Sequence, residues 1–397
     1  MNRKAFWALF LCSSVIWTLG NGLIPILPLY ALELGASHSQ VGAYMAISFG
    51  FLALGGLLGG RLVNLLKPKS LLLITGLISV VLSLAIALAS SLFALVVLTS
   101  ALWCLGGIGF SALNSIAASI FKEASRGRGY SLLAITSPLG AIIGGIACGP
   151  IIDAYGYQAL FSVIALFVMF WPICAMTLPG AMTGVRAEIK NSRNVHSDNV
   201  HSGSEISKTG VNIPITLILC ACCLVFVANF LGMMGMSLSM NSQGMSASEI
   251  SSTSVVGGLV AIPLVVGIGQ LSDYLGRNAA WALCCVAGVL ALLLLSNASS
   301  LSMYWLIASL LRVLSAGSRG IGNAWILDIS STQFRDKALA LFMATTSLGG
   351  VLGFLIGGYA IQTQGMGMTF LWAMLLPFFS ILLVYLNPTR SASGIRQ

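Results

Sequence analysis

Two arginines lie inside an apolar run, where a charge is costly. The run covers residues 302–328, with Arg312 near its middle and Arg319 seven residues later. Asn323 follows after four more residues, so the helical period places the three side chains on one face. A charge near the centre of a bilayer normally faces a cavity or a partner. The spacing therefore predicts a polar binding site within a membrane helix, with Arg312 near the midplane and Arg319 about 10 Å further along.

The sequence alone leaves structural roles open for both arginines. Arg319 would then pair with Asp328 or with a neighbouring helix, and Arg312 would be a buried packing charge. Buried cations without buried acids favour an anionic or a neutral, partly apolar ligand over a cationic one. The acidic residues near the apolar runs all lie at their ends, and they are Glu33, Asp153, Glu249, Glu123, Asp273, Asp328 and Asp336.

The composition indicates that lipid is the main solvent of this chain. Of its 397 residues, 57% are hydrophobic and 7% are charged, whereas a soluble domain has roughly 25% charged residues. The net charge of +9 is spread over short loops, which argues against binding of nucleic acid. The nine cysteines lie in apolar runs, and His196 and His201 form no metal motif. We therefore predict no metal, no cofactor and no catalytic residues, and hence no enzyme.

Twelve apolar runs are long enough to cross a bilayer, which takes about 20 residues per helix. If the N-terminus is cytoplasmic, 17 of the 19 Lys and Arg residues fall on the inner side, as expected for cytoplasmic loops. We therefore predict twelve spans with both termini in the cytoplasm, the first retained and not a signal peptide. The runs cover residues 5–32, 40–64, 70–89, 92–121, 130–152, 158–178, 213–240, 250–272, 279–296, 302–328, 338–361 and 368–387.

The sequence also repeats itself at a constant distance, which is the distance from Asn114 to Asn323. We call this distance the repeat shift. The same shift places Gly149 on Gly358 without a gap. An apolar chain built as two similar halves is a common plan of membrane transporters, with the binding site between the halves. Six spans in each half give both halves the same orientation. The predicted domains are an N-terminal six-helix bundle, a polar cytoplasmic linker and a C-terminal six-helix bundle, over residues 1–179, 180–212 and 213–397.

A loop between spans 8 and 9 combines glycines and charges at fixed spacing. It reads GQLSDYLGRN, with Gly269, Asp273, Gly276 and Arg277 in order. This loop resembles the signature loop of the major facilitator superfamily, G-x-x-x-D-x-x-G-R-[KR], although Asn278 stands in the last place. The repeat shift leads to a degraded copy between spans 2 and 3. The resemblance implies an all-α membrane fold, in which two six-helix bundles face each other and carry a small solute by alternating access.

Span 5 carries glycines at helical spacing, followed by a proline. Gly140, Gly144, Gly145 and Gly149 precede Pro150, which resembles in part the glycine–proline motif of the family's antiporters. In that family, spans 5 and 8, and spans 2 and 11, meet across the halves. Small residues let helix backbones approach closely, so these glycines would serve either rocking of the halves or static packing. The closest branch in these features is that of the 12-span drug efflux antiporters.

The resemblance also implies which residues form the site. Spans 1, 4, 7 and 10 line the cavity in the family, and its drug-antiporter branch has an Arg in span 4, where this chain has Trp103. The repeat shift from Trp103 leads to Arg312. The predicted solute-binding residues are Arg312, Arg319, Asn323, Asn21, Trp17, Asn114, Phe110, Asn229 and Met233. The predicted conformational latch at the cytoplasmic end consists of Gly269, Asp273, Gly276, Arg277, Asp328 and Arg335.

Taken with the resemblance, the sequence predicts a monomeric secondary transporter of the cell (inner) membrane. It would move a small organic solute by proton-coupled efflux, with H+ and the lipid bilayer as its other partners. Uptake of an organic anion, sugar or siderophore is the main alternative. A membrane enzyme or a channel is the alternative of another class.

Overall fold

A computed structural model describes residues 3–121, 126–178, 213–330 and 334–386. The predicted linker, residues 180–212, lies outside the described residues, and so does Glu123. Within these ranges the chain forms helices joined by short turns, and no strand occurs in them. The all-α fold that the family resemblance implies is therefore confirmed.

The first half contributes spans 1 to 6. Span 1 is interrupted by a π-helical turn, and Gly156 has a non-helical backbone conformation between spans 5 and 6. The helices are Arg3–Trp17, Thr18–Gly22 (the π turn) and Leu27–Glu33 in span 1, His38–Leu65 in span 2, Pro68–Ala87 in span 3, Leu92–Ile120 in span 4, and Arg126–Ala134, Thr136–Val168 and Phe170–Thr177 in spans 5 and 6.

The second half contributes spans 7 to 12. Its helices are Ile213–Ser242 in span 7, Ala247–Leu275 in span 8, Arg277–Leu295 in span 9, Leu301–Ile329 in span 10, Arg335–Gln364 in span 11, and Met366–Ala373 and Leu375–Tyr385 in span 12. Spans 4 and 10 begin and end at positions that the repeat shift superimposes. The sequence repeat therefore extends to the helix boundaries.

One stretch of the described residues is too long for a single span. Eleven helical stretches are long and apolar enough to cross a membrane, and Leu132–Thr177 has 46 residues. A straight helix of that length would measure about 69 Å, more than twice the roughly 30 Å of a bilayer core. Gly156 interrupts it with φ 78° and ψ 179°, and Gly365 has φ 81° and ψ 166° between spans 11 and 12. The two glycines occupy equivalent positions of the repeat, and they divide spans 5 and 6 as they divide spans 11 and 12.

The N-termini of spans 2 and 8 are built in the same way. In span 2 the Ser37 side chain accepts from the Gln40 backbone N–H, and the Gln40 side chain accepts from the Ser37 N–H. Ser246 and Glu249 form the same reciprocal capping box in span 8. Such a box supplies acceptors for two N–H groups that lack partners within the helix. The two capping boxes lie at equivalent positions of the repeat, so the repeat includes the signals that start these helices.

The halves pack against each other through spans 5 and 8 and through spans 2 and 11, the pairs that the family resemblance implies. Large apolar side chains such as Leu57 and Leu166 are 74% and 68% exposed, which suits a lipid-facing surface. Successive spans run in opposite directions, so the bundle has two chemically different ends. We call them the basic end, with Arg61, Lys69, Arg277 and Arg335, and the acidic end, with Glu33, Asp153 and Glu249.

Candidate functional site

A small cavity between the halves is lined by Arg312 of span 10. Its volume is about 20 Å³, room for about one water, since a water needs roughly 10–15 Å³ by the same measure. Met233 and Met236 of span 7 and Ile24 and Pro25 of span 1 form an apolar wall. Methionine side chains adapt to differently shaped neighbours. The cavity thus combines one cation with an adaptable apolar surface, and its wall comes from both halves.

Arg312 reaches the cavity across the face of span 8. A Cβ on Gly257 would lie 3.0 Å from both Cγ and Nε of Arg312, so the glycine makes room for the guanidinium and its stem. Thr253 and Ser254, one turn earlier in span 8, also line the cavity. Within the described residues Arg312 has no hydrogen-bond or ion-pair partner. An unpaired cation in the membrane interior marks a functional position.

Arg319 lies two turns further along span 10 and is covered by Phe226 of span 7. Its guanidinium carbon is 5.8 Å from the ring centroid, a cation–π contact. The Nε of Arg319 and the Oδ1 of Asn323 are buried without hydrogen-bond partners, and each such group costs about 1–3 kcal/mol. Arg319 forms no ion pair with Asp328, which instead accepts from Nε of Arg277 at 3.0 Å.

Asn229 lies one turn from Met233 in span 7. Its Nδ2 donates to the Met233 sulfur at 3.5 Å, and its Oδ1 is buried without a partner. Of the nine predicted solute-binding residues, Arg312 and Met233 line the cavity together. Asn229 adjoins this pair along the chain, and its free acceptor is available for a donor that enters the interior.

Span 1 contains a π-helical turn, Thr18–Gly22, where it passes span 5. Gly22 approaches Gly144 so closely that a Cβ on Gly22 would lie 2.7 Å from the Gly144 Cα. Asn21 donates its Nδ2 to the carbonyl oxygen and the hydroxyl of Ser137, at 3.0 and 3.1 Å. This joint fixes span 1 against span 5 and places Ile24 in the cavity wall. The structure thus gives Asn21 a partner inside its own half.

The remaining first-half candidates lie away from the cavity. Trp17 and Phe110 pack edge to face with their ring centroids 4.9 Å apart, joining spans 1 and 4. Asn114 is exposed on span 4. None of these three lines the cavity that contains Arg312. Trp103, the repeat-related position of Arg312, is buried and packs at a tilt against Phe49, with the ring centroids 5.6 Å apart. The first half therefore has an aromatic side chain where the second half has a cation.

Side chains from opposite halves cap two helix N-termini at the acidic end. Asp153 of span 5 accepts from the backbone N–H groups of Ala247 and Ser248, both at 2.9 Å, and from the Ser248 hydroxyl. Gln362 of span 11 accepts from the N–H of His38 at 3.1 Å. The repeat shift carries Asp153 to Gln362 and His38 to Ala247. The repeat therefore relates the two contacts, which we call the Asp153 contact and the Gln362 contact.

Glycines bring the backbones of the two halves together near the same end. A Cβ on Gly42 would lie 2.7 Å from the Gly358 Cα, and one on Gly145 would lie 2.7 Å from the Ser251 carbonyl oxygen. The Ser251 hydroxyl donates to the Gly145 carbonyl oxygen at 2.8 Å. These contacts and the two capping contacts close the acidic end in this structure.

Arg277 connects three spans at the basic end. Its guanidinium is 2.7 Å from Asp273 of span 8 and 3.0 Å from Asp328 of span 10. It also donates to the Ser272 hydroxyl at 2.9 Å. Arg277 thus links Asp273 of span 8 to Asp328 of span 10. All four residues belong to the second half, so in this structure the network holds that half together.

The other predicted latch residues shape or adjoin the same turn. Gly276 has φ 83° between spans 8 and 9, a conformation that favours glycine. Gly269 lies one turn before Asp273 in span 8, and Arg335 is exposed at the first residue of span 11. The backbone conformation at Gly276 therefore favours glycine whether or not this residue takes part in transport.

Sequence reasoning placed Asp153 at a span end without a role and missed Gln362, Thr253 and Ser254. A signal for the first two exists in the repeat. Both are polar, the repeat shift superimposes them, and each follows a glycine-rich span that faces a capping box. The hydroxyls of span 8 carry no comparable signal, because serine and threonine are common in membrane helices.

These features define a class of protein. Membrane spans in two repeat-related halves, a cavity walled by both, and contacts that close one end are the plan of a secondary transporter. The family follows from the sequence match. The chain belongs to the major facilitator superfamily, whose model matches residues 9–321 and 218–396. The predicted transporter is thus confirmed, and the family is one of transporters, not an enzyme class.

Curated relatives share low identity with this chain over nearly their full length. The chain is 24% identical over 383 residues to the multidrug resistance protein MdtG of Enterobacter lignolyticus, covering 94% of this chain and 89% of that protein. It is 22% identical over 375 residues to MdtG of Proteus mirabilis, covering 92% and 91%.

Solved structures support the same fold. A peptide transporter POT in complex with sulfate has a TM-score of 0.74 at 14% identity, covering 96% of this chain and 94% of that chain. The nucleoside transporter NupG has a TM-score of 0.73 at 15% identity, covering 97% and 98%. At this identity the likeness concerns the fold alone.

Proposed function

We propose that this protein exports small amphiphilic solutes from the cytoplasm by alternating access. The observation that carries the proposal is the unpaired Arg312 in a cavity walled by both halves. Because Ile24 and Pro25 come from the first half and Met233 from the second, a movement of one half against the other changes the size of the cavity. The relatives' name, multidrug resistance protein, supports export as the direction.

We place the protein in the cell (inner) membrane as a monomer, with the basic end and both termini in the cytoplasm. The location of 17 of the 19 basic residues supports this orientation. From the state described here, in which the halves touch at the acidic end, separation of the halves at the basic end would admit solute from the cytoplasm. Cysteine labelling of the two ends from each side of the membrane tests the orientation.

Closure of the basic end belongs to the other half of the cycle. The Asp273–Arg277–Asp328 network would then meet the first half and hold that end shut. Its two ion pairs involve carboxylates that are 68% and 54% exposed, so each contributes about 0–1 kcal/mol. We include in this proposed latch Gly269, Asp273, Gly276, Arg277, Asp328 and Arg335.

Proton coupling is the proposed energy source, by resemblance to the family's antiporters. In everted membrane vesicles, an imposed pH gradient, acidic inside, should accelerate solute entry, which corresponds to export from the cell. Equal rates of solute entry with and without the gradient would exclude proton coupling. They would not contradict the proposal that the protein transports solute.

Uptake of an organic anion is the second candidate, and the unpaired guanidinium of Arg312 favours an anion. Vesicles of both orientations distinguish export from uptake by the side from which solute accumulates. Accumulation only in right-side-out vesicles would establish uptake and contradict the export proposal.

Substitution of Arg312 tests the site. In everted vesicles, we expect Arg312→Ala to abolish transport across a panel of anionic, neutral and cationic amphiphilic dyes, with the protein still folded. Arg312→Lys should restore transport only in part, because a point charge lacks the guanidinium fork. Arg61→Gln, which removes an exposed arginine at the basic end, is the matched control. Full transport by Arg312→Ala would leave Arg312 as a packing charge.

A further inference from the structure

We infer that the transported solute is an amphiphilic organic anion whose negative group binds the Arg312 guanidinium beside the hydroxyls of Thr253 and Ser254. This inference rests on the proposed transport function and specifies its substrate class. It is carried by the charges of the membrane interior and by the shape of the cavity around Arg312.

The interior of the described bundle carries positive charge without compensation. Arg312 and Arg319 lie in the middle turns of span 10, and the acids that the structure describes lie within the terminal turns of their spans. A cationic solute next to Arg312 would meet like charge in a region of low dielectric. An anionic head group would instead supply the partner that Arg312 lacks within the described residues. Binding would then reduce the free-energy cost of an unpaired charge in the membrane interior.

The polar side of the cavity offers donors. The guanidinium presents five N–H groups in a fork that matches a planar or tetrahedral oxyanion. The Thr253 hydroxyl donates to the Ile250 carbonyl oxygen at 2.6 Å, and the Ser254 hydroxyl has no hydrogen bond within the described part of the chain. Ser254 can therefore donate to the same head group that Arg312 binds.

The opposite side of the cavity is apolar and adaptable. Met233 and Met236 line it from span 7, and Ile24 and Pro25 line it from span 1. An alkyl or aromatic body fits this wall, while the head group stays at Arg312. Because the cavity in this state has only about 20 Å³, the solute must enter as the halves separate at the basic end.

Arg319 provides a comparison within the same helix. It carries the same charge two turns away, but Phe226 covers its guanidinium. Arg319 therefore contributes to the positive potential of the interior without contacting the head group in the cavity. Its removal should weaken anion binding less than the removal of Arg312.

The test uses three ligands that share a hexyl chain and differ in head group: hexanesulfonate, hexanesulfonamide and hexyltrimethylammonium. Binding to the purified full-length protein in nanodiscs is measured by calorimetry. We expect hexanesulfonate to bind at least about tenfold tighter than the sulfonamide, as for hydrogen bonds to a charged group. Arg312→Gln should abolish this preference by weakening only the sulfonate. Arg312→Lys should retain part of it, and Arg319→Gln most of it.

Several results would overturn the inference. They are equal binding of sulfonate and sulfonamide, tightest binding of the ammonium, no binding of the sulfonate, or a preference that survives Arg312→Gln. Flux of the same ligands in everted vesicles separates this inference from the transport proposal. If only hexyltrimethylammonium is transported, the anionic substrate is refuted and the export proposal is not. If none of the three ligands is transported, both the anionic substrate and the export proposal are contradicted.

Discussion

Asp153→Asn is expected to open the acidic end of the transporter. The capping box of span 8 already supplies acceptors for the N–H groups of Ser246 and Glu249. Asp153 accepts from the two between them, Ala247 and Ser248. All four N-terminal N–H groups of the helix thus have partners, and two of these depend on the opposite half.

The expected effect follows from what asparagine retains. It keeps one acceptor oxygen and loses the charge at the helix N-terminus. Loss of an N-terminal acceptor costs about 0.5–2 kcal/mol, and loss of a charge at this position costs about 0.3–1 kcal/mol at an exposed site. Because the bonds exist only while the halves touch, the total of about 1–3 kcal/mol enters the opening equilibrium. The open population should rise roughly 5- to 150-fold.

Hydrogen exchange measured by mass spectrometry reports this shift directly. Peptides covering the first turns of spans 2 and 8 should exchange faster in Asp153→Asn by the same factor. Gln362→Glu should slow exchange, because it adds a charge at the repeat-related contact. Glu33→Gln, which removes a different acid from the same end, should leave it unchanged. Unaltered exchange in Asp153→Asn, or an equal effect of Glu33→Gln, would refute the reasoning.

Two other predictions concern the same equilibrium. Gly42→Ala places a methyl group 2.5 Å from the Phe354 carbonyl oxygen and should raise exchange at the acidic end, whereas Gly56→Ala in the same helix, with open space around its Cβ, should not. Asp273→Asn weakens the proposed basic-end latch, so maleimide labelling of cysteines near that end should increase; unchanged labelling and transport would contradict the latch.

Much of the fold follows from the sequence because lipid imposes simple rules. Span length, the side of the basic residues and the internal repeat each report the membrane topology independently. The helical period also placed Arg312, Arg319 and Asn323 along one helix without any tertiary information. The division of spans 5 and 6 was found from composition, and the structure supplied its backbone cause in Gly156.

The residues that line the cavity were harder to predict from the sequence. Which side chain of span 1 faces Arg312 depends on the π-helical turn at Thr18–Gly22, and a regular period cannot describe an irregular turn. Asn21 was expected at the solute, but its amide reaches Ser137 because two glycines let spans 1 and 5 touch. The family resemblance, in which span 1 lines the cavity, singled out Asn21, while the partner of Asn21 depended on packing that one sequence does not show.

The two capping contacts also bear on how the acidic end can open. Ser37 and Ser246 keep their own capping boxes when the halves separate, so the first turns of spans 2 and 8 need not unwind. The bonds to Asp153 and Gln362 lie at an exposed end, where water can replace each acceptor as it leaves. These hydrogen bonds can therefore be exchanged for bonds to water while both helices stay intact. The acidic end can then open by losing the Asp153 and Gln362 hydrogen bonds one after another.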